Sequence, residues 1–289
     1  MTALLSQPVS NAVPAGRPAP TTLRGKDTIG TALRVLSSAR ILSAPVLDDT
    51  GSCVGIVGYH NFIKSFGMDT DKSVFLATPI EQVLVFSQEA NIQVQRSTTI
   101  LDCVAMLRSK AHVHRLITVV SDAANSIVSQ SDIARFVHDH LRTDALRSFA
   151  QLRIAGTRLG KHMPKSVTST ETLHGALSTM IQEMVTCLAI LDPASGALVG
   201  NLSESDIRGL GADTFMAQLS EPVGQFLSEF SMRSLTPVFV TPHDTIMTLF
   251  ETVVGNRLHH VWVQDADGKP TGVITLTDIM NALLETKAS

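Results

Sequence analysis

One unit recurs four times along this chain, and that recurrence limits the fold more than any other feature. A threonine followed by a branched apolar residue appears at Thr28-Ile29, Thr99-Ile100, Thr172-Leu173 and Thr245-Ile246, with spacings of 71, 73 and 73 residues. Each pair opens the same apolar stripe at offsets 0, 3, 4 and 7. The stripes are Ile29, Ala32, Leu33, Leu36; Ile100, Cys103, Val104, Leu107; Leu173, Ala176, Leu177, Met180; and Ile246, Leu249, Phe250, Val253. That spacing is the buried face of a 3.6-residue helix. A fixed period of this length makes the chain an array of one supersecondary unit and places binding sites between copies.

The fourth copy shows the unit most clearly. Val238-Phe239-Val240 reads as a short strand, and Pro242 and Asp244 then start a helix, with Asp244 as the expected N-cap. His259-His260 precede a buried strand, Val261-Trp262-Val263. The stretch Asp265-Ala266-Asp267-Gly268 makes a turn, Gly272-Val273-Ile274 returns, and Thr275 to Asp278 opens a second helix. The unit is therefore β-α-β-β-α. The other copies fit, and their second helices open at Asn61, Asp132, Asp206 and Asp278, positions 71, 74 and 72 apart. One unit is too small to bury its own helices. Units are expected to pair sheet beside sheet, copy one with two and three with four. The reading divides the chain into a flexible Pro/Ala tail (1–20), repeats at 21–66, 98–140, 166–210 and 237–289, connections at 67–97 and 211–236, and a linker at 141–165 between the pairs.

Composition narrows the function. The chain is 44% hydrophobic and 17% charged, so it is a folded protein and not a disordered one. Its net charge of −3 offers nothing to attract nucleic acid, and no apolar run approaches the roughly 20 residues that span a bilayer. Cys53, Cys103 and Cys187 are an odd set within apolar patterns. Free buried thiols point to a reducing, intracellular compartment, cytoplasmic with the nucleus also open.

The candidate site residues carry two readings. Asp278 lies one turn inside a helix start, where its two oxygens can accept from two hydroxyl donors and free backbone N–H groups favour an anion. The same pattern, Ser/Thr three residues before an acid, is also a capping box, and Ser129/Asp132, Ser203/Asp206 and Thr275/Asp278 all qualify. Both readings stand on the sequence alone, and they are compatible. His114-Arg115 and His259-His260 occupy matching places before a buried strand, where imidazole or guanidinium can meet an anion. Repeat one departs from the pattern. Gly58 and Asn61 replace the hydroxyl and the acid, and Leu42-Ser43 fill the cationic place. Repeat three has Thr186-Cys187 there. His112-x-His114 and His138-x-His140 lack a completing Cys or carboxylate for zinc. No nucleophile elbow, P-loop or His-Glu-x-x-His run occurs, so no enzyme chemistry is expected.

The segments Asn256 to Leu283, Val113 to Val120 and Leu198 to Leu210 resemble the cystathionine-β-synthase (CBS) domain. Four copies in one chain resemble the gamma regulatory subunits of AMP-activated and sucrose-nonfermenting-type protein kinases, including stand-alone plant relatives. This resemblance implies an α+β fold of four CBS repeats in two tandem pairs, or Bateman modules. It implies a non-catalytic regulator that binds AMP, ADP or ATP, has no cofactor, and partners a kinase catalytic subunit and its scaffold subunit, with no nucleic acid or membrane. In such proteins the helix-opening acid holds ribose, the hydroxyl residues before it line the pocket, and the basic pair meets phosphate. Carried onto this sequence, the expected nucleotide contacts are His114, Arg115, Ser129, Ser131, Asp132, Thr168, Val185, Thr186, Ser203, Asp206, His259, His260, Thr275, Thr277 and Asp278. Thr168 and Val185 are expected near adenine and ribose.

Overall fold

The computed structural model describes residues 1–13, 19–66, 71–86, 92–109, 113, 115–119, 126–230, 237–266 and 269–285. The fold is α+β and contains the expected four repeats, each built on a three-stranded sheet. The sheets are β1 (Leu23–Arg24), β2 (Ser43–Leu47) and β3 (Cys53–Gly58); β4 (Gln93–Gln95), β5 (Arg115–Val119) and β6 (Ser126–Ser129); β7 (Ser166–Thr168), β8 (Cys187–Leu191) and β9 (Leu198–Ser203); and β10 (Phe239–Val240), β11 (His260–Gln264) and β12 (Pro270–Thr275). In every sheet the first two strands are parallel, joined by a helix, and the last two form an antiparallel hairpin.

The first helices run Ile29–Ala39, Ile100–Ser109, Leu173–Gln182 and Ile246–Gly255. All sixteen stripe residues are buried, at 3% exposure or less. The threonine before each stripe caps its helix: Thr28, Thr99, Thr172 and Thr245 accept through Oγ1 from the amides of Thr31, Asp102, Gly175 and Thr248. Asp244 is therefore not the N-cap. Its carboxylate accepts from the amide and hydroxyl of Thr241 and closes the preceding turn.

The chain forms two compact units. One contains Met1–Pro20, Ile92–Pro164 and Val238–Ser289, which includes repeats two and four. The other contains Thr21–Asn91 and Lys165–Pro237, which includes repeats one and three. In the first unit, helix Ile100–Ser109 packs on Leu276–Glu285, and Gln130–His140 packs on Ile246–Gly255. In the second, Tyr59–Ser65 packs on Leu173–Gln182, and Ile29–Ala39 packs on Ala212–Leu219. Each first helix thus faces a helix from the repeat two along. Amphipathic helices need a facing apolar stripe, and that stripe comes from the alternate repeat.

Two further expectations change. Residues 1–13 are not a flexible tail. Thr2–Leu5 is helical, and Leu4, Leu5, Val9 and Ala12 are buried in the unit with repeats two and four. The second helix of repeat three is short: a 3-10 turn at Glu204–Ile207 breaks near Gly209, whose φ of +111° suits glycine. The helix that packs against Ile29–Ala39 is Ala212–Leu219, inside the stretch read as a connection.

Short arms finish each repeat. The amide of the first residue in each first helix donates to a carbonyl outside the repeat: Ile29 to Thr78, Ile100 to Gln7, Leu173 to Glu221 and Ile246 to Leu152, all at 2.8–2.9 Å. A helix start leaves such amides without an internal partner, so the arms satisfy them. The adjoining bridges are Thr28 with Pro79, Thr99 with Pro8, Thr172 with Pro222 and Thr245 with Arg153.

Candidate functional site

The hairpin register builds the site. The strand residue in the basic place sits directly across from the residue that caps the second helix: Ser43 opposite Gly58, Arg115 opposite Ser129, Cys187 opposite Ser203 and His260 opposite Thr275. A strand residue and the start of the second helix therefore meet at one corner of every repeat.

At three corners the capping box is present. Asp132 Oδ2 accepts from the amide and hydroxyl of Ser129 at 2.9 and 2.7 Å. Asp206 Oδ2 accepts from those of Ser203 at 2.7 and 2.8 Å. Asp278 Oδ2 accepts from those of Thr275 at 2.8 and 2.7 Å. Capping thus occupies one oxygen of each acid, and the second oxygen distinguishes Asp132 from Asp278. Asp132 is almost fully buried, and its Oδ1 lies 3.3 Å from the Arg135 guanidinium. Asp278 has a side chain 16% exposed, and its Oδ1 lies 3.6 Å from His162 Nε2.

Asp278 also lines a cavity of about 610 Å³ within the unit of repeats two and four. One wall is the helix Leu276–Glu285, through Asp278, Asn281, Ala282 and Glu285. The opposite wall is part of the segment between repeats two and three, through Thr157, Arg158, Leu159 and His162, and Arg108 closes one side. The volume suits a nucleotide-sized molecule, and the lining offers both acceptors and cations. Sequence reading missed Arg108, Thr157, Arg158, His162 and Asn281. The helical spacing of Asp278, Asn281 and Glu285 was legible, but the approach of residues 157–162 was not.

The other expected contacts have varied surroundings. His260 is buried, with its ring 5.4 Å from that of Trp262 in an edge arrangement, so it packs into the strand layer. His259 is exposed, and its carbonyl accepts from the Leu276 amide. The Thr277 hydroxyl accepts from Gln130 Nε2 at 3.0 Å and ties repeat four to repeat two. Arg115 and Ser131 are half-buried in repeat two. Thr168 is exposed at the end of β7, where its hydroxyl meets Thr170 at 3.0 Å. Val185 and Thr186 are half-buried; the Val185 amide donates to Met180, and the Thr186 carbonyl accepts from Glu204. The Ser203 hydroxyl also contacts Ser205 at 2.6 Å. Thr168, Val185, Thr186, Ser203 and Asp206 belong to the other compact unit and do not line the Asp278 cavity. His112 and His114 lie outside the described residues.

Repeat one has a reason for its departures. Asn61 Oδ1 accepts from the Gly58 amide at 3.0 Å, and its amide nitrogen donates to Val83 O at 3.3 Å. A side chain at Gly58 would run into the Leu42 carbonyl and approach Ser43 Cβ to 2.7 Å. The corner is filled by backbone, and a neutral amide caps the helix.

A family model for the CBS domain matches residues 15–67 and 227–285. The chain is 24% identical over 182 residues to the SNF1-related protein kinase regulatory subunit gamma-like PV42a of Arabidopsis thaliana, a match covering 58% of this chain and 51% of that protein. It is 25% identical over 275 residues to the 5'-AMP-activated protein kinase subunit gamma of Saccharomyces cerevisiae, covering 87% and 82%. Thus the match spans about half the length of the plant relative and most of the yeast one. A solved protein from Methanocaldococcus jannaschii, proposed as an archaeal homologue of the AMPK gamma subunit, superposes with a TM-score of 0.73 at 17% identity, covering 96% of this chain and 99% of that one.

Proposed function

Starting from a chain built of CBS repeats that resembles kinase gamma subunits, we propose that it is a non-catalytic regulatory subunit that binds adenine nucleotides and passes energy state to a protein kinase complex. The observation that carries this reading is Asp278. One of its oxygens is committed to the helix cap, while the other lies beside a cavity of about 610 Å³ whose lining also carries Arg108, Arg158 and His162. Ribose hydroxyls would donate to Oδ1, and the guanidiniums would face phosphate. Relatives named as AMP-activated kinase gamma subunits support the choice of adenine nucleotide and of kinase partner.

Regulation then requires only that nucleotides bind one partner-bound conformation better than another, because a ligand shifts an equilibrium by its differential affinity. Calorimetry with AMP, ADP and ATP on the full chain tests the reading. Asp278→Ala is expected to weaken AMP by about one to two decades, on the scale of 1.4 kcal/mol per decade. Because Ala also removes the cap, Asp278→Asn is the cleaner variant: Asn61 caps repeat one with its side-chain oxygen, so Asn can retain the fold while losing the charge. Unchanged affinity in a folded Asn variant would refute the assignment.

A second reading is favoured by repeat one, where Gly58 and Asn61 leave no charged corner. In it, the repeats form an interaction scaffold that no longer binds nucleotide. Millimolar nucleotide that leaves Tm unmoved would select it, since a ligand of the native state must raise stability.

A further inference from the structure

The wall of the Asp278 cavity made by residues 157–162 is seated as a strap. The Val273 amide donates to His162 O at 3.1 Å, joining the strap to the outer edge of β12. Gly160 has a φ of +69°, and a side chain there would reach 2.6 Å from Val263 Cγ2. A side chain at Gly272 would collide with the Gly160 carbonyl oxygen. Two glycines thus let strap and strand backbones approach closely. Two side-chain contacts then join the strap to helix Leu276–Glu285: the exposed His162 ring lies 3.6 Å from Asp278, and Arg158 pairs with Glu285 at 3.2 Å. They lie two helical turns apart, with Asn281 and Ala282 between them facing the cavity.

We propose that this strap is a latch, in which His162 holds the Asp278 oxygen that hydroxyl donors of a ligand would otherwise take. This rests on the reading of Asp278 as the ribose acceptor. Seating of the latch and binding of a ribose at Asp278 then compete for one atom. The contact is ionic when the imidazole is protonated. The charged groups around it are Asp278 and Glu285 on the helix, Arg158 and Lys161 on the strap, and Arg108 from repeat two. Arg158 keeps its own partner in Glu285, so release of His162 frees Asp278 while leaving the strap fastened at one end.

The test compares His162→Ala with wild type, using adenosine and AMP by calorimetry and amide exchange at Val273. A competitor for the sugar oxygen predicts that His162→Ala tightens adenosine and AMP alike, by about three- to fivefold, the weight of an exposed ion pair. It also predicts that the Val273 amide exchanges severalfold faster. If His162 instead meets phosphate, the variant weakens AMP and leaves adenosine unchanged, which overturns the proposal. Should wild type bind neither compound, the nucleotide reading falls, and exchange still decides the latch: unchanged protection at Val273 overturns it, and faster exchange upholds the anchoring.

Discussion

At the scale of single residues, the acids of the second helices do two jobs with two oxygens. The sequence left capping and ligand binding open at these positions, and the structure shows the capping half directly at Asp132, Asp206 and Asp278. What the sequence could not show is which second oxygen opens on a cavity, because that depends on Arg135 beside Asp132 and on a strap 116 residues away from Asp278. Gly58 makes the converse point. Gly58→Ser restores the pattern of the other repeats on paper, yet the new side chain meets the Leu42 carbonyl and Ser43. It is expected to cost about 1–3 kcal/mol, as overpacking does, and to install no new site. Denaturant unfolding checks the first point and ligand stoichiometry the second. Tyr59 offers a simpler case. Its buried hydroxyl donates to Leu210 O at 2.8 Å, joining repeats one and three, and burial pushes its pKa up to about 12. Tyr59→Phe leaves that carbonyl unpaired and should lower stability by about 1–3 kcal/mol.

At the scale of elements, the four first helices were fully legible because a 3.6 period and a capping threonine are local signals. The arms were legible only in part, with Pro79 to Val83 and Pro222 to Phe226 reading as short amphipathic pieces, although their signal is also local. Leu5-Ser6-Gln7-Pro8-Val9, Leu76-Ala77-Thr78-Pro79-Ile80 and Leu219-Ser220-Glu221-Pro222-Val223 share one pattern, and Ala150-Gln151-Leu152-Arg153-Ile154 is its degenerate fourth copy. The proline-rich composition of residues 1–20 hid the first of these. Leu5 is 2% exposed, so Leu5→Ala should cost about 2–5 kcal/mol, the range for buried leucine, and amide exchange should rise in helix Ile100–Ser109, which that arm covers. The hairpin turns carry a pH dependence. The Thr50 hydroxyl, followed by the Ser52 amide, holds the Asp48 carboxyl below the usual aspartate range. The Ser195 hydroxyl and amide do the same for Asp192. A depressed folded-state value stabilises above the unfolded value and is lost as pH falls through the folded one. Stability should therefore drop on acidification below the ordinary aspartate range, and Asp48→Asn with Asp192→Asn should flatten that limb of a melting profile.

At the scale of the whole molecule, the period was visible, but which helices face one another was not. The compact units each combine alternate repeats, two with four and one with three. Nothing in a single repeat says which other stripe it faces, since all four are similarly apolar. The interleaving has a measurable sign. Leu283 is fully buried in the helix that packs on Ile100–Ser109, so Leu283→Ala should cost about 2–5 kcal/mol. Its effect on amide exchange should appear in Ile100–Ser109 and not in Leu173–Gln182, although the latter is far nearer in sequence.

The arms also bear on the order of events during synthesis. The arm that satisfies Ile100 emerges from the ribosome before repeat one, and its target follows only after some ninety further residues. At about 5–20 residues per second, its leucines wait several seconds without cover. Each unit, moreover, draws on both halves of the sequence. A nascent chain halted at the middle would hold two apolar helix layers with no mates, and would be a natural client for chaperones until translation resumes.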